Sequence, residues 1–439
     1  MNSCSKSAYA ALVILAAIIV GLVGCIEQPN SFSQLPPGEW RGILKLADPS
    51  AEYAQDLGGE LEKVKDYFEL PFNIKVSYDD EENMKVFILN GTEEIEVESV
   101  HYGRDPATAR DTVQLSFDAF DTKMDAFFED NFIEGYWVVN YKENYKIPFI
   151  ATYGQNHRFI NREIDNTKDF DGKWKVTFEY DNDDAYPAIG EFSQNGNMLN
   201  GTFRTETGDY RYLSGNAYGD KLRLSVFDGS HAFLFQGTMQ NDTIYGEFRS
   251  GKHYKSNWIA VRDSKFTLTN PYDYTQITES TISNLKFKNV DGVPVGLHDQ
   301  DGTPKVKILN IMGTWCPNCR DEIAFLKEVK EKYKDEVQIT SIAFERYKEE
   351  AKALAMLDKY AKTLDISWPL LYGGYADKTT TGETFPFLDK IYSYPTMVIA
   401  DANNNIHHIH TGFDGPATSK YESYVAEFDN KMKKLIAAK

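Results

Sequence analysis

Ile308-Leu309-Asn310-Ile311-Met312-Gly313-Thr314-Trp315-Cys316-Pro317-Asn318-Cys319-Arg320-Asp321-Glu322 is the stretch on which the fold turns. An apolar run rich in β-branched residues climbs to a small residue, a tryptophan and a Cys-x-x-Cys. Ile323, Leu326, Val329 and Tyr333 then follow at helical spacing. The pattern predicts a strand that delivers two thiols to the first turn of a helix. A thiol placed there meets unpaired backbone N–H groups and the positive end of the helix dipole, which favour thiolate over thiol. The thiolate is the nucleophile of disulfide exchange, and a second thiol across two residues is placed to resolve a mixed disulfide.

Two other roles fit the same spacing. Cys-x-x-Cys is half of a zinc knuckle. If 406–410 is a strand, His408 and His410 share a face and could complete a two-Cys, two-His site. A plain structural disulfide is the remaining alternative, although so short a loop restrains little chain entropy.

The chain has 439 residues, too many for one ordinary core, so two or three domains are expected. It carries 66 acidic and 47 basic residues, a formal net charge of −19. Such a surface repels phosphate backbones, which argues against nucleic acid as a partner. Of four cysteines, Cys316 and Cys319 form the motif, while Cys4 and Cys25 lie at the N-terminus. Lys6, an apolar run from Ala8 to Val23, and Leu22-Val23-Gly24-Cys25 read as a processing segment. The run falls short of the ~20 apolar residues of a spanning helix. Small residues just before a cysteine resemble the lipobox of bacterial lipoproteins, which implies that Cys25 is lipidated and becomes the first mature residue. The dithiol would then be the only free thiols, which avoids scrambling in an oxidising compartment.

Residues 26–38 form a polar, proline-bearing tether. From Glu39 to about Arg262 the sequence reads as short strands and turns, with Asn-Gly hairpin signals at 90–91, 195–196 and 200–201. Only Tyr53–Phe68 suggests a short helix. Asp111-Thr112-Val113-Gln114-Leu115-Ser116 echoes Asp220-Lys221-Leu222-Arg223-Leu224-Ser225, and tryptophan strands open each half at Trp40 and Trp174. An internal duplication follows, with β unit 1 over 39–160 and β unit 2 over 161–265, as barrels, half-barrels or a sandwich. Such a unit could hold an apolar ligand or have a filled interior. The acidic clusters at 79–82 and 181–184 read as solvated loop tips. Residues 266–280 are expected to be a linker. Beyond it strands and helices alternate, and an α/β sheet covered on both faces is predicted for 281–439.

Trp315-Cys316-Pro317-Asn318-Cys319 at a strand–helix junction, with Tyr394-Pro395-Thr396 opening a later strand, resembles the thioredoxin fold. The Asp291-Gly292 hairpin and the Gly313-Thr314-Trp315 lead-in narrow the resemblance to TlpA-like, membrane-associated thiol–disulfide oxidoreductases. Gly412-Phe413-Asp414-Gly415-Pro416 and the long insertion before Pro395 resemble the lipoprotein versions of the Bacteroidetes group. The likeness spans Thr281 to Ala437, about a third of the chain. It implies that Cys316 attacks, that Cys319 resolves, and that the pair forms the redox disulfide. It also implies a cis Pro395 facing the dithiol and a Tyr394 backbone exposed for β-type pairing with substrate. Trp315 and Pro317 become substrate-facing neighbours, and Glu322 matches an acidic residue inside the family's active-site helix. Many members carry proline before the second cysteine, whereas Pro317 follows the first. That departure leaves redox potential and direction open.

The expectation is therefore a periplasm-facing membrane lipoprotein, anchored by lipid on Cys25, that reduces disulfides in substrate proteins. A membrane thiol reductant would recharge it, and no cofactor or metal is expected. Two rivals stand beside it. One is a ligand- or partner-binding lipoprotein with an accessory thioredoxin-like domain, and the other is a metal-handling protein.

Overall fold

The computed structural model describes residues 34–47, 67–80, 83–164, 167–298 and 306–438. Cys25 and the processing segment lie outside these residues. So does most of the helix considered over Tyr53–Phe68, whose last two residues begin a strand.

The first sheet has nine antiparallel strands: β1 (Gly38–Ala47), β2 (Tyr67–Tyr78), β3 (Met84–Asn90), β4 (Glu93–Glu96), β5 (Ser99–Arg104), β6 (Asp111–Phe117), β7 (Thr122–Glu129), β8 (Phe132–Val139) and β9 (Lys146–Tyr153). Their order is β4-β3-β2-β1-β9-β8-β7-β6-β5, so the first strand lies beside the last. Strand periodicity explains the burial. Trp40, Leu44 and Leu46 alternate with solvent-facing neighbours along β1 and point into one core.

The second sheet comprises β10 (Gly172–Phe178), β11 (Tyr186–Asn195), β12 (Met198–Thr205), the short β13 (Gly208–Asp209), β14 (Leu213–Tyr218), β15 (Lys221–Phe227), β16 (Ala232–Gln240), β17 (Thr243–Ser250) and β18 (Tyr254–Arg262). Here β10 pairs with β18, and β11 pairs with β12, so eight strands close into a barrel. Aromatic rings fill it. Phe203 lies 4.6 Å from Phe235 and 5.3 Å from Trp258 between centroids, and all three are fully buried.

Asn90-Gly91 and Asn195-Gly196 close the β3–β4 and β11–β12 hairpins. Asn200-Gly201 does not make a turn and lies inside β12. A Cβ on Gly201 would sit 2.1 Å from the Glu191 carbonyl oxygen, so this glycine serves close strand approach rather than chain reversal.

The third sheet takes β19 (Lys286–Lys288), β20 (Pro294–Gly296), β21 (Val306–Met312), β22 (Val337–Glu345), β23 (Leu370–Tyr375), β24 (Thr396–Asp401) and β25 (Ile406–Thr411) in the order β20-β19-β23-β22-β21-β24-β25. Strands β21, β22 and β23 are parallel, β24 runs antiparallel to β21, and β25 runs antiparallel to β24. Four helices join them: α1 (Pro317–Tyr333), α2 (Glu350–Thr363), α3 (Lys378–Thr384) and α4 (Tyr421–Ala437). Among the described residues no helix is long and apolar enough to cross a membrane.

The stretch expected as a linker is docked on this third unit. Ile277 bridges Leu388, Thr281 bridges Asn405, and the Thr278 N–H donates to the Phe387 carbonyl. The three units also share side chains. Phe227, Ala232 and Leu234 of the barrel enter the first sheet's core, and Ala119 of the first unit enters the third.

Candidate active site

Strand β21 is buried on both faces and ends where Gly313 begins the turn into α1. Cys316 caps that helix in extended conformation, and its Sγ accepts the Cys319 N–H at 3.2 Å. Pro317 occupies the first helical turn, where a missing N–H costs nothing. The Cys316 sulfur thus takes the place of a capping oxygen, where backbone donors and the helix dipole stabilise negative charge. Cys316 and Cys319 are joined as a disulfide with Cα atoms 5.2 Å apart. Cys316 retains 6% exposure and Cys319 none.

Around this pair the remaining candidates fall into place. The Tyr394–Pro395 bond is cis, and the Cys316 Sγ lies 3.7 Å from the Tyr394 carbonyl oxygen. The Tyr394 hydroxyl bonds Thr381 at 2.6 Å. Thr381 belongs to α3, a helix within the long insertion that the threonine-rich sequence did not suggest. Asp377 caps it by accepting the Thr380 N–H at 3.0 Å. The Trp315 indole N–H donates to the Phe344 carbonyl at 2.9 Å, and the Arg346 guanidinium lies 4.0 Å over its ring. Glu322 is fully buried on α1 one turn beyond Cys319. It accepts from the Asn310 amide through one oxygen, while the other has no partner. Burial lifts its carboxyl well above the ordinary range against the pull of Asn310. His410, weighed as a metal ligand, is buried with its Nδ1 on the Gly412 carbonyl at 3.0 Å. Among the described residues no three His, Cys, Asp or Glu side chains converge as a metal site.

Sequence reasoning missed Glu345. It ends the apolar run of β22, is 1% exposed, and accepts the Thr314 N–H at 3.1 Å and the Thr314 hydroxyl at 2.7 Å. It therefore fixes the backbone just before Trp315. A lone carboxylate closing an apolar strand was the available signal. Burial pushes it up to about 7, against the Thr314 bonds and Arg346. Between 4.5 and about 7 the folded chain keeps a proton that the unfolded chain has lost, so this group lowers stability as pH rises. From pH 5 to 7 the loss is about 2 kcal/mol. A Glu345→Gln variant lacks it. Urea unfolding of both proteins should show the variant gaining on its parent by that amount over the same interval, and a constant difference would contradict the assignment.

The sequence also gave no sign that the barrel covers the dithiol. Gly208 of β13 approaches α1 so closely that a Cβ would lie 1.9 Å from the Asn318 amide nitrogen. The Ser393 hydroxyl donates to the Thr207 carbonyl at 3.3 Å, and Tyr392 donates to Glu206 at 2.9 Å. Arg211 is buried where all three units meet. It pairs with Asp321 of α1 at 2.6 Å, with Glu93 of β4, and with Asp228 at 3.8 Å. Asp209 beside it accepts the Gly415 N–H at 2.7 Å, and burial followed by repulsion from Asp321 pushes it up to about 7.

The Redoxin family model matches residues 277–425. The Thioredoxin-like protein YneN of Bacillus subtilis (strain 168) is 27% identical over 129 residues, which are 29% of this chain and 68% of that protein. A thiol-disulfide oxidoreductase from Bacteroides fragilis aligns with 33% of this chain and 98% of its own at 15% identity, with a TM-score of 0.24. The exposed lipoprotein thioredoxin Etrx1 of Streptococcus pneumoniae aligns with 35% of this chain and 99% of its own at 20% identity, with a TM-score of 0.26. Residues 277–425 are thus similar to the Redoxin family, and with the capped dithiol of α1 this similarity supports a thioredoxin-like thiol–disulfide oxidoreductase.

Proposed function

We propose that the chain is a TlpA-like lipoprotein, held to a membrane by lipid on Cys25 and facing the periplasm, that reduces disulfides of exported proteins. The observation that carries this reading is the Cys316 sulfur seated as helix cap at the mouth of a cleft, with Cys319 wholly buried behind it. In the reduced protein the Cys316 thiolate attacks one sulfur of a substrate disulfide. A Cys316–substrate bond forms, the substrate S–S bond breaks, and the departing thiolate takes up a proton. The Cys319 thiolate then attacks Cys316, the second substrate thiol leaves, and two electrons have passed from dithiol to substrate. A membrane thiol reductant returns them.

Trp315, Pro317 and the Tyr394 backbone would meet the substrate, and Glu322 would handle the Cys319 proton. The units 39–160, 161–265 and 281–439 are proposed as domains. The first two would be copies of one ancestral unit, since both set their first strand beside their last.

Single-turnover mixing of the reduced protein with insulin tests the roles. The parent should release insulin thiols, Cys316→Ser should release none, and Cys319→Ser should stop at a stable mixed disulfide on Cys316. A mixed disulfide trapped on Cys319 in the reciprocal variant would reverse the assignment.

A further inference from the structure

Two clefts flank Trp315, and they differ in chemistry. The first, about 460 Å³, opens from Cys316 and Pro317 toward the end of the barrel. Its walls are the partly buried rings of Tyr186, Tyr210, Phe233, Trp315 and Tyr392. Tyr186 and Tyr210 bond each other's hydroxyls at 3.0 Å, and Phe233 packs 5.3 Å from Tyr210, so the barrel supplies three rings of the aromatic wall. Its acids are engaged elsewhere, Glu206 by Tyr392 and Thr269, and Asp209 by the Gly415 and Arg211 backbone.

The second cleft, about 420 Å³, lies on the other side of Trp315 against the first sheet. Lys142, Arg346, His231 and His253 line it. Lys142 rests over the Tyr145 ring at 4.7 Å and Arg346 over Trp315 at 4.0 Å, and neither carries an ion pair among the described residues. The nearby acids are already bound. Glu345 holds Thr314, Asp121 accepts from Tyr347, and Asp228 faces His231 and Arg211. In a chain of net charge −19 this leaves a local cationic surface within one tryptophan of the attacking sulfur.

Both clefts fall in the size range of small-ligand sites, ~300–1,000 Å³, so they admit a segment and not a folded surface. We propose that the β units set the specificity of the dithiol for an extended peptide disulfide. Its cysteine carries an apolar or aromatic residue on one side, seated at the barrel end, and an acidic residue on the other, seated against Lys142 and Arg346. This rests on the oxidoreductase reading above. The step is the same exchange: one peptide disulfide takes two electrons from the Cys316–Cys319 dithiol and yields two peptide thiols and the protein disulfide.

The test uses the full, pre-reduced chain in single turnover, without added reductant. The substrates are symmetrical disulfides of blocked Phe-Cys-Glu and Glu-Cys-Phe peptides, and their counterparts with Glu replaced by Lys or Phe by Ser. One order of the aromatic–acidic pair should react at least tenfold faster than its lysine counterpart. Lys142→Glu should abolish or invert that charge preference. Phe233→Ala should remove the aromatic preference, bringing the Phe peptides down to the rate of their Ser counterparts. Equal rates on all peptides overturn the proposal but leave the oxidoreductase standing. Failure to reduce any peptide or insulin overturns both.

Discussion

Replacing Arg211 with alanine is expected to lower the unfolding free energy by about 3–5 kcal/mol, the cost of removing one partner from a buried ionic cluster. The guanidinium sits among Glu93, Asp228 and Asp321, each at most 15% exposed in its side chain, with Asp209 at hand. Burial alone would make Arg211 easier to deprotonate. Asp321, Glu93 and Asp228 outweigh it and hold the charge. Four carboxyls around one guanidinium are an excess of acid. Burial lifts Glu93 and Asp209 above the ordinary range, while Asp228, which His231 and Arg211 compensate for its burial, stays below it. Alanine would strand the carboxylates that remain ionised, so the loss should be greatest near pH 8 and shrink toward pH 5. Denaturant titrations at both values decide the matter. A loss under 1 kcal/mol at pH 8 would mean that the cluster is solvated in solution. Because Arg211 also reaches the Pro317 carbonyl at 3.5 Å, the same change should slow attack by Cys316.

What the sequence revealed and what it withheld divide along range of interaction. The dithiol helix was legible because its signals are local: an apolar β-branched strand, a cysteine at the cap position, a proline in the first turn and helical spacing from Ile323 onward. The alternation that starts at Trp40 and Trp174 was legible for the same reason. Asn200-Gly201 misled because a glycine serves a hairpin and a close strand approach equally well, and only the neighbouring Glu191 carbonyl tells them apart. Helix α3 went unseen since threonines are poor helix formers, and its support comes from the Asp377 cap and Tyr394. The linker looked free because its partners, Phe387, Leu388 and Asn405, lie more than a hundred residues on. The covering of Cys316 by the barrel was out of reach altogether. It depends on Glu93, Arg211 and Asp321 meeting across 228 residues, and nothing in their local sequence marks them.

Glu322→Gln is expected to slow resolution of the mixed disulfide by about 10²-fold, the lower end of what a positioned proton-transfer group contributes. In the proposed exchange Cys319 must lose a proton to attack, inside a core where a free charge is costly. An ordinary carboxylate is too weak a base for a thiol. Burial raises the Glu322 carboxyl toward the thiol range and makes the transfer less uphill. Glutamine keeps the shape and an oxygen for the Asn310 amide but cannot take the proton. The stability change should run the other way. A carboxyl raised in the folded state costs nothing at pH below its unfolded value near 4.5, and stability then falls as pH climbs toward the folded value. The variant escapes that fall, so relative to its parent it should be more stable at pH 8 than at pH 5 while resolving more slowly. A merely structural glutamate predicts no slowing together with this gain. Stopped-flow release of thiol from a preformed Cys316–peptide disulfide gives the rate, and urea unfolding at the two pH values gives the stability. Equal release rates for variant and parent from pH 5 to 9 would remove Glu322 from the chemistry and leave it a buried acid that destabilises the fold.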